Sequence, residues 1–141
     1  MGVEQSVPLV GRTQELERSL AALDRLGGGR GGLISLVGDR GVGKSAVAGA
    51  MTEEAVRRGM ATAWGRPMAG RRGDTPYGAW GRALDRLGIR MLTEGQHSAE
   101  GYQPLGLDEA RGRVLQVVDR PTVLVLDDLH RADDESRWLV E

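Results

Sequence analysis

The chain has 141 residues, a formal net charge of −1, no cysteine and 22 glycines. That length is enough for one domain with a core of its own. The charge balance gives no electrostatic footprint of a nucleic-acid surface, and the lack of cysteine excludes disulfides and cysteine-based metal sites.

Taken in order, Val7–Arg12 (VPLVGR) is a short apolar segment ending in Gly-Arg. A helix is predicted over Thr13–Leu26, where Leu16, Leu20, Leu23 and Leu26 form one apolar stripe. Thr13 is the candidate N-cap, and Glu15 and Glu17 lie near the positive end of the helix dipole. Gly27–Gly32 holds glycine at all positions but Arg30, so helix cannot continue, and a flexible connector follows. Leu33–Val37 (LISLV) is apolar and partly β-branched, and reads as a buried strand.

The next residues fit the phosphate-loop spacing G-x-x-x-x-G-K-[ST]: Gly38, then Asp39, Arg40, Gly41 and Val42, then Gly43, Lys44 and Ser45. Glycines let such a loop curl until backbone N–H groups converge on phosphate oxygens. The following helix, opening with Ala46, aims its positive N-terminus at the same anion. Lys44 is a compact ammonium suited to the β- and γ-phosphates, and the Ser45 hydroxyl to Mg²⁺. Lys44 is also the sole lysine among 19 basic residues, kept where a point charge serves better than a planar fork. The competing reading, a glycine-rich turn with no ligand, leaves that lysine and the strand-before, helix-after context unexplained.

The helix after Ser45 is predicted to reach Arg58, with Val47, Ala50, Met51 and Ala55 inward and Gly59 as C-cap. Met60–Trp64 (MATAW) reads as a second strand. Arg66–Asp74 is a Gly/Arg loop; Arg71 and Arg72 suit phosphate, but a solvated loop is the plainer reading. Thr75-Pro76 opens a helix whose Tyr77, Trp80, Leu84 and Leu87 share a face, more simply core than ligand box, and Gly88 ends it. Ile89–Gly106 has no clean period and is expected to be mostly loop. Asp108 caps a helix to about Val118, with Ala110, Val114, Val117 and Val118 inward, and Pro121 breaks it.

Thr122–Leu126 (TVLVL) is the strongest strand signal, an unbroken apolar run of the kind buried on both faces of a parallel sheet. It ends in Asp127-Asp128, at the carboxyl end where open α/β sheets bind ligands. Asp127 is the candidate Mg²⁺ ligand alongside Ser45, and Asp128 the candidate group that orients or deprotonates a water. A pair of solvated acids capping a strand would be the reading without the phosphate loop. His130 is expected on the surface, and Asp133–Glu141 begins a further helix. The implied fold class is α/β, a P-loop NTPase with a parallel sheet flanked by helices. No apolar run nears the ~18 residues of a membrane span and no leader pattern is present, so the expected location is cytoplasmic, away from membranes. Met1–Ser6 fits a loose myristoylation pattern, but the glycine-rich composition, without phenylalanine or asparagine, looks bacterial.

PLVGR, VGDRGVGKS, PYGAW and VLVLDDLHRAD together resemble the STAND-type P-loop ATPases, relatives of the AAA+ class. The nearest resemblance is to the N-terminal ATPase module of large LuxR-type bacterial transcriptional regulators. It implies an ATP/ADP- and Mg²⁺-dependent switch: Gly38–Ser45 on the phosphates, Val10, Gly11 and Arg12 near the adenine, Asp127 on the metal, and Lys44 and Asp128 in slow hydrolysis. Two positions depart from the family pattern, Arg131 in place of Trp and Asp134 in place of Pro. Asp128 stands where AAA+ ATPases carry glutamate. The family's sheet order is 5-1-4-3-2, and this chain supplies strands 1 to 3. The expectation is therefore a partial module over residues 1–141, with a leading segment over 1–32 and a nucleotide-binding core over 33–141, truncated after the Asp-Asp strand. Its partners would be nucleotide and either further domains or a second copy, with no direct nucleic-acid contact by this chain. A P-loop small-molecule kinase and a non-catalytic nucleotide-binding remnant are the alternative readings.

Overall fold

The structure, a computed structural model, describes residues 11–67, 77–89, 106–115, 119–132, 134, 137, 139 and 140. It divides into two compact units, Met1–Met60 and Ala61–Glu141, each built around its own short-range logic.

The first unit pairs helix α1 (Thr13–Gly27) with helix α2 (Lys44–Arg57). Thr13 does not cap α1. It is the first helical residue, and Arg12 precedes it without any side-chain cap. The Arg12 carbonyl instead accepts the Leu16 N–H at 3.0 Å. On the apolar stripe Leu23 is fully buried and Leu16 and Leu26 half so, but Leu20 is exposed and Ser19 is buried. The Ser19 hydroxyl tolerates this by donating to the Glu15 carbonyl at 2.8 Å, which satisfies it within the helix. On α2, Val47 and Ala55 are buried as expected, together with Ala48 and Thr52, while Ala50 and Met51 are half-buried. Burying a side chain such as Leu23 or Val47 stabilises by roughly 1.5–3 kcal/mol.

Both helices end alike. Gly59 adopts φ +75°, the Gly59 N–H donates to the Val56 carbonyl at 2.9 Å, and the Met60 N–H reaches back to Ala55 at 2.9 Å. This left-handed closure satisfies carbonyls that the helix leaves open. Arg58, beside it, clasps Glu54 at 2.8 Å and Asp24 of α1 at 2.6 Å, tying the two helices together.

Leu33–Val37 is not a strand. The segment carries no regular structure, with Leu33 73% and Val37 89% exposed. A strand exists through its ladder, and none of the described residues offers this segment one. Apolar composition alone does not fix β structure when no partner supplies the hydrogen bonds.

The second unit holds a parallel pair. Strand β1 (Ala61–Gly65) lies beside β2 (Thr122–Leu126) in register from Ala61 with Thr122 to Gly65 with Leu126. β1 starts one residue later than its sequence suggests. The ladder runs on at both ends, where the Ala61 N–H donates to Pro121 and the Asp127 N–H to Gly65, each at 3.0 Å. This is the pairing of strands 2 and 3 in the resembled sheet order. Helix α3 (Gly78–Asp85) packs across both strands. Its Trp80 and Leu84, with Tyr77 and Ala110 of helix α4 (Leu107–Leu115), form the buried cluster under Leu124 and Leu126. β2 is half-buried along most of its length, with Val123 alone fully buried, not covered on both faces as its apolar run implies.

Gly65 explains how α3 approaches so closely. A Cβ there would lie 1.8 Å from the Ala79 carbonyl oxygen, so the helix rests directly on strand backbone. Tyr77, just before α3, is buried at φ +60°, a conformation seldom adopted by bulky residues. The predicted Thr75-Pro76 helix start lies outside the described residues, as do most of 89–106, Val117 and Val118. Asp108 sits inside the first turn of α4 and does not cap it, because the helix already begins at Leu107.

Candidate functional site

The sequence-predicted site residues fall in both units. In the first, the loop at 38–43 turns through positive φ at Gly41 (+80°) and Gly43 (+94°). Space is not the reason for glycine at these positions, since a Cβ at either would meet nothing within 4 Å. Backbone handedness is. Gly38 differs, since a Cβ there would press on Val42 Cγ1 at 3.0 Å. Gly43 is the left-handed N-cap of α2, and its carbonyl accepts the Val47 N–H at 3.1 Å. The helix starts at Lys44, two residues earlier than predicted, and has no acidic residue in its first turn. By contrast, α1 carries Glu15 there and α4 carries Asp108 and Glu109. The positive end of α2 thus faces the loop without a carboxylate of its own to offset it.

Lys44 extends back across the loop. Its Nζ donates to the carbonyls of Gly38 and Asp39, both at 2.7 Å. The Val42 N–H reaches Asp39 at 3.3 Å, closing the curl. Arg12 braces the other side, its guanidinium donating to the Val42 carbonyl at 2.5 Å and to Glu15 at 2.8 Å. That hydrogen bond from Arg12 is the main reason the Glu15 carboxyl lies below its ordinary pKa. The Gly11-Arg12 motif and the phosphate loop, 30 residues apart, are therefore one local assembly. Asp39, Arg40, Gly41, Ser45 and Ala46 are exposed around it; Val10 lies outside the described residues.

In the second unit, Asp127 follows β2, with its side chain only 14% exposed. Its Oδ1 accepts the Asp128 N–H at 2.9 Å. Its Oδ2 takes two N–H groups of one guanidinium, Arg66 Nε at 3.0 Å and Nη2 at 2.7 Å. Asp128 turns out into solvent in a left-handed conformation, φ +56°, and opens the short 3₁₀ turn Leu129–Arg131. The reversal separates the two acids. Asp127 is packed and paired, while Asp128 is presented. His130 is exposed, as expected.

Arg66 is the residue that sequence reasoning missed. Expected at the head of a solvated loop, it stands directly after β1 and pairs its side chain with Asp127. Gly65 and Leu126 are the last register pair, and Arg66 and Asp127 directly follow them, so opposite charges meet just past the ladder. The signal was a basic and an acidic residue directly following two strands, legible only once those strands are known to pair in parallel. Arg71 and Arg72 lie outside the described residues.

Oxygen donors suit Mg²⁺; the Ser45 hydroxyl in the first unit and the Asp127 carboxylate in the second are each of that kind, taken separately. No cluster of three or more His, Asp or Glu residues able to hold a metal occurs among the described residues. A cation carried by nucleotide phosphates needs only one or two protein oxygens, since water and phosphate complete its shell.

A family model described as AAA ATPase domain matches residues 8–141. No curated protein and no solved structure matches the chain significantly. Among the described residues, no helix is long and apolar enough to cross a membrane.

Proposed function

Since the chain belongs to the AAA ATPase domain family, matched over residues 8–141, we propose that it is the ATP-binding part of a bacterial regulatory switch of the STAND type, resembling that of LuxR-type transcriptional regulators. The carrying observation is the loop itself. Gly41 and Gly43 take left-handed turns, Lys44 reaches across them, and α2 begins there without an acidic residue in its first turn. These features suit an incoming triphosphate. Lys44 exchanges its hydrogen bonds to Gly38 and Asp39 for phosphate oxygens. Gly11 and Arg12 belong to the nucleotide end of the first unit, supported by the Arg12 hydrogen bond to Val42. Ser45 and Asp127 are the proposed Mg²⁺ ligands, each argued from its own unit. The metal, when bound, neutralises charge on the phosphates.

Asp128 is the proposed group for orienting an attacking water, supported by its exposure. A side chain shorter than glutamate suits slow turnover, as a switch requires. Self-association or further domains would read out the bound nucleotide, and the proposed setting is the cytoplasm. The test is calorimetric titration of ATP with Mg²⁺ into the parent chain and Lys44→Ala. We expect the variant to bind at least about tenfold more weakly, roughly 1.4 kcal/mol or more. Equal affinities would reject the site.

A further inference from the structure

We propose that Arg66 is an internal competitor for the metal site, a tethered cation that holds the Asp127 carboxylate until a divalent ion arriving with nucleotide displaces it. The proposal rests on the metal role proposed for Asp127 and adds to it a gate made by this chain.

The geometry is one-sided. Two donors of the Arg66 fork converge on Oδ2 of Asp127, at 3.0 and 2.7 Å. A planar guanidinium on a carboxylate is among the stronger charge-assisted contacts, and it occupies the oxygen that a hard cation would seek. The exposures then decide which partner moves. The Asp127 side chain is 14% exposed and Arg66 59%. Asp127 is also held from its own backbone side, with Oδ1 on the Asp128 N–H and its own N–H on Gly65. The carboxylate is thus fixed by strand β2, and the guanidinium is the mobile member.

Arg66 also has somewhere to go. Its backbone is pinned, because Arg82 of α3 donates to its carbonyl at 3.2 Å. Its guanidinium carbon lies 6.0 Å from the centre of the Trp64 ring, within the range at which an aromatic face attracts a cation. Even while it holds Asp127, the charge thus lies beside an aromatic face and largely in solvent, so it does not depend on the carboxylate alone. The consequence for binding is specific. The divalent ion must displace a positive charge from its ligand, so Arg66 lowers metal-dependent affinity and leaves metal-free nucleotide binding alone.

The test is binding of ATP to the 141-residue chain with and without Mn²⁺, the metal followed by its paramagnetic resonance signal. We expect Arg66→Ala to tighten Mn²⁺-dependent binding by about threefold to tenfold, with metal-free ATP affinity unchanged. Arg66→Lys should fall between, since a point charge keeps attraction without the fork. If the parent binds ATP equally with and without Mn²⁺, the metal role of Asp127 fails and this proposal with it. If the parent depends on Mn²⁺ and Arg66→Ala, still folded by circular dichroism, gains nothing, competition alone is overturned. Should that variant unfold, the parent decides through the Arg66 Nε–H resonance. Loss or displacement of that signal on adding Mg²⁺ and ATP supports release, and an unmoved signal overturns it.

Discussion

The phosphate loop and the end of β2 are both occupied by the chain's own cations, but through different kinds of contact. At the loop, Lys44 bonds to carbonyls five and six residues away. At the strand end, Arg66 bonds to a carboxylate 61 residues away. The loop is a local device whose spacing and glycine handedness almost determine it. The strand end is a tertiary device, which exists only because two strands pair in one register. Function can therefore fail at the two places for different reasons. Damage to packing should abolish the second and leave the first nearly intact.

The largest expected effect exploits that. Gly65→Ala drives a Cβ to 1.8 Å from the Ala79 carbonyl oxygen, so α3 must shift off the sheet. We expect a loss of about 3 kcal/mol in urea unfolding, at the upper end of overpacking costs. The Arg66–Asp127 pair should be lost while the loop keeps its form. If the change is below ~0.5 kcal/mol, that close approach does not hold the second unit.

Next in size is the separation of the two acids. Asp127→Asn should lower Mg²⁺-dependent ATP affinity about tenfold, whereas Asp128→Asn should spare binding and reduce turnover. Equal loss of binding in both would collapse the distinction between a packed acid and a presented one.

A smaller effect probes the loop's brace. Arg12→Ala removes the donor to Val42 and should weaken ATP about threefold in calorimetry, without changing unfolding of the second unit. Unaltered binding would show that the loop stands on its own spacing.

The smallest lies in the acid limb of stability. Glu54 is held below its ordinary value of 4.5, first by the hydrogen bond from Arg58. A carboxyl whose folded pKa is depressed takes up protons more readily when unfolded. Its contribution is present above the ordinary value and fades as pH falls through the folded one. Glu54→Gln should therefore flatten the decline in stability of the first unit below about pH 4.5. An unchanged acid limb would exclude the Glu54–Arg58–Asp24 clasp as its source.

Legibility followed the same divide. The two long helices, the Thr122–Leu126 strand, the loop and the burial of Tyr77, Trp80 and Leu84 were readable because period and glycine placement are local signals. Leu33–Val37 was misread because apolar composition states a preference, and its ladder depends on residues elsewhere. Leu20 is exposed and Ser19 buried, and burial of the hydroxyl is tolerated because it is satisfied within its own helix, which the spacing of leucines does not reveal. Arg66 escaped notice because its partner is visible only after β1 and β2 are set in register.

Gly59 carries one further consequence, and it concerns handedness. Its φ of +75° is unfavourable for an L side chain, yet nothing lies within 4 Å of where a Cβ would stand. The mirror-image residue meets neither objection. D-alanine introduced there by chemical ligation should fit the left-handed turn unstrained and reduce the freedom of the unfolded chain, raising stability by about 0.4–1 kcal/mol. L-alanine at the same place should lower it. The pair of enantiomers would then read out, from one carbon atom, whether a glycine in this glycine-rich chain is held by conformation or by room.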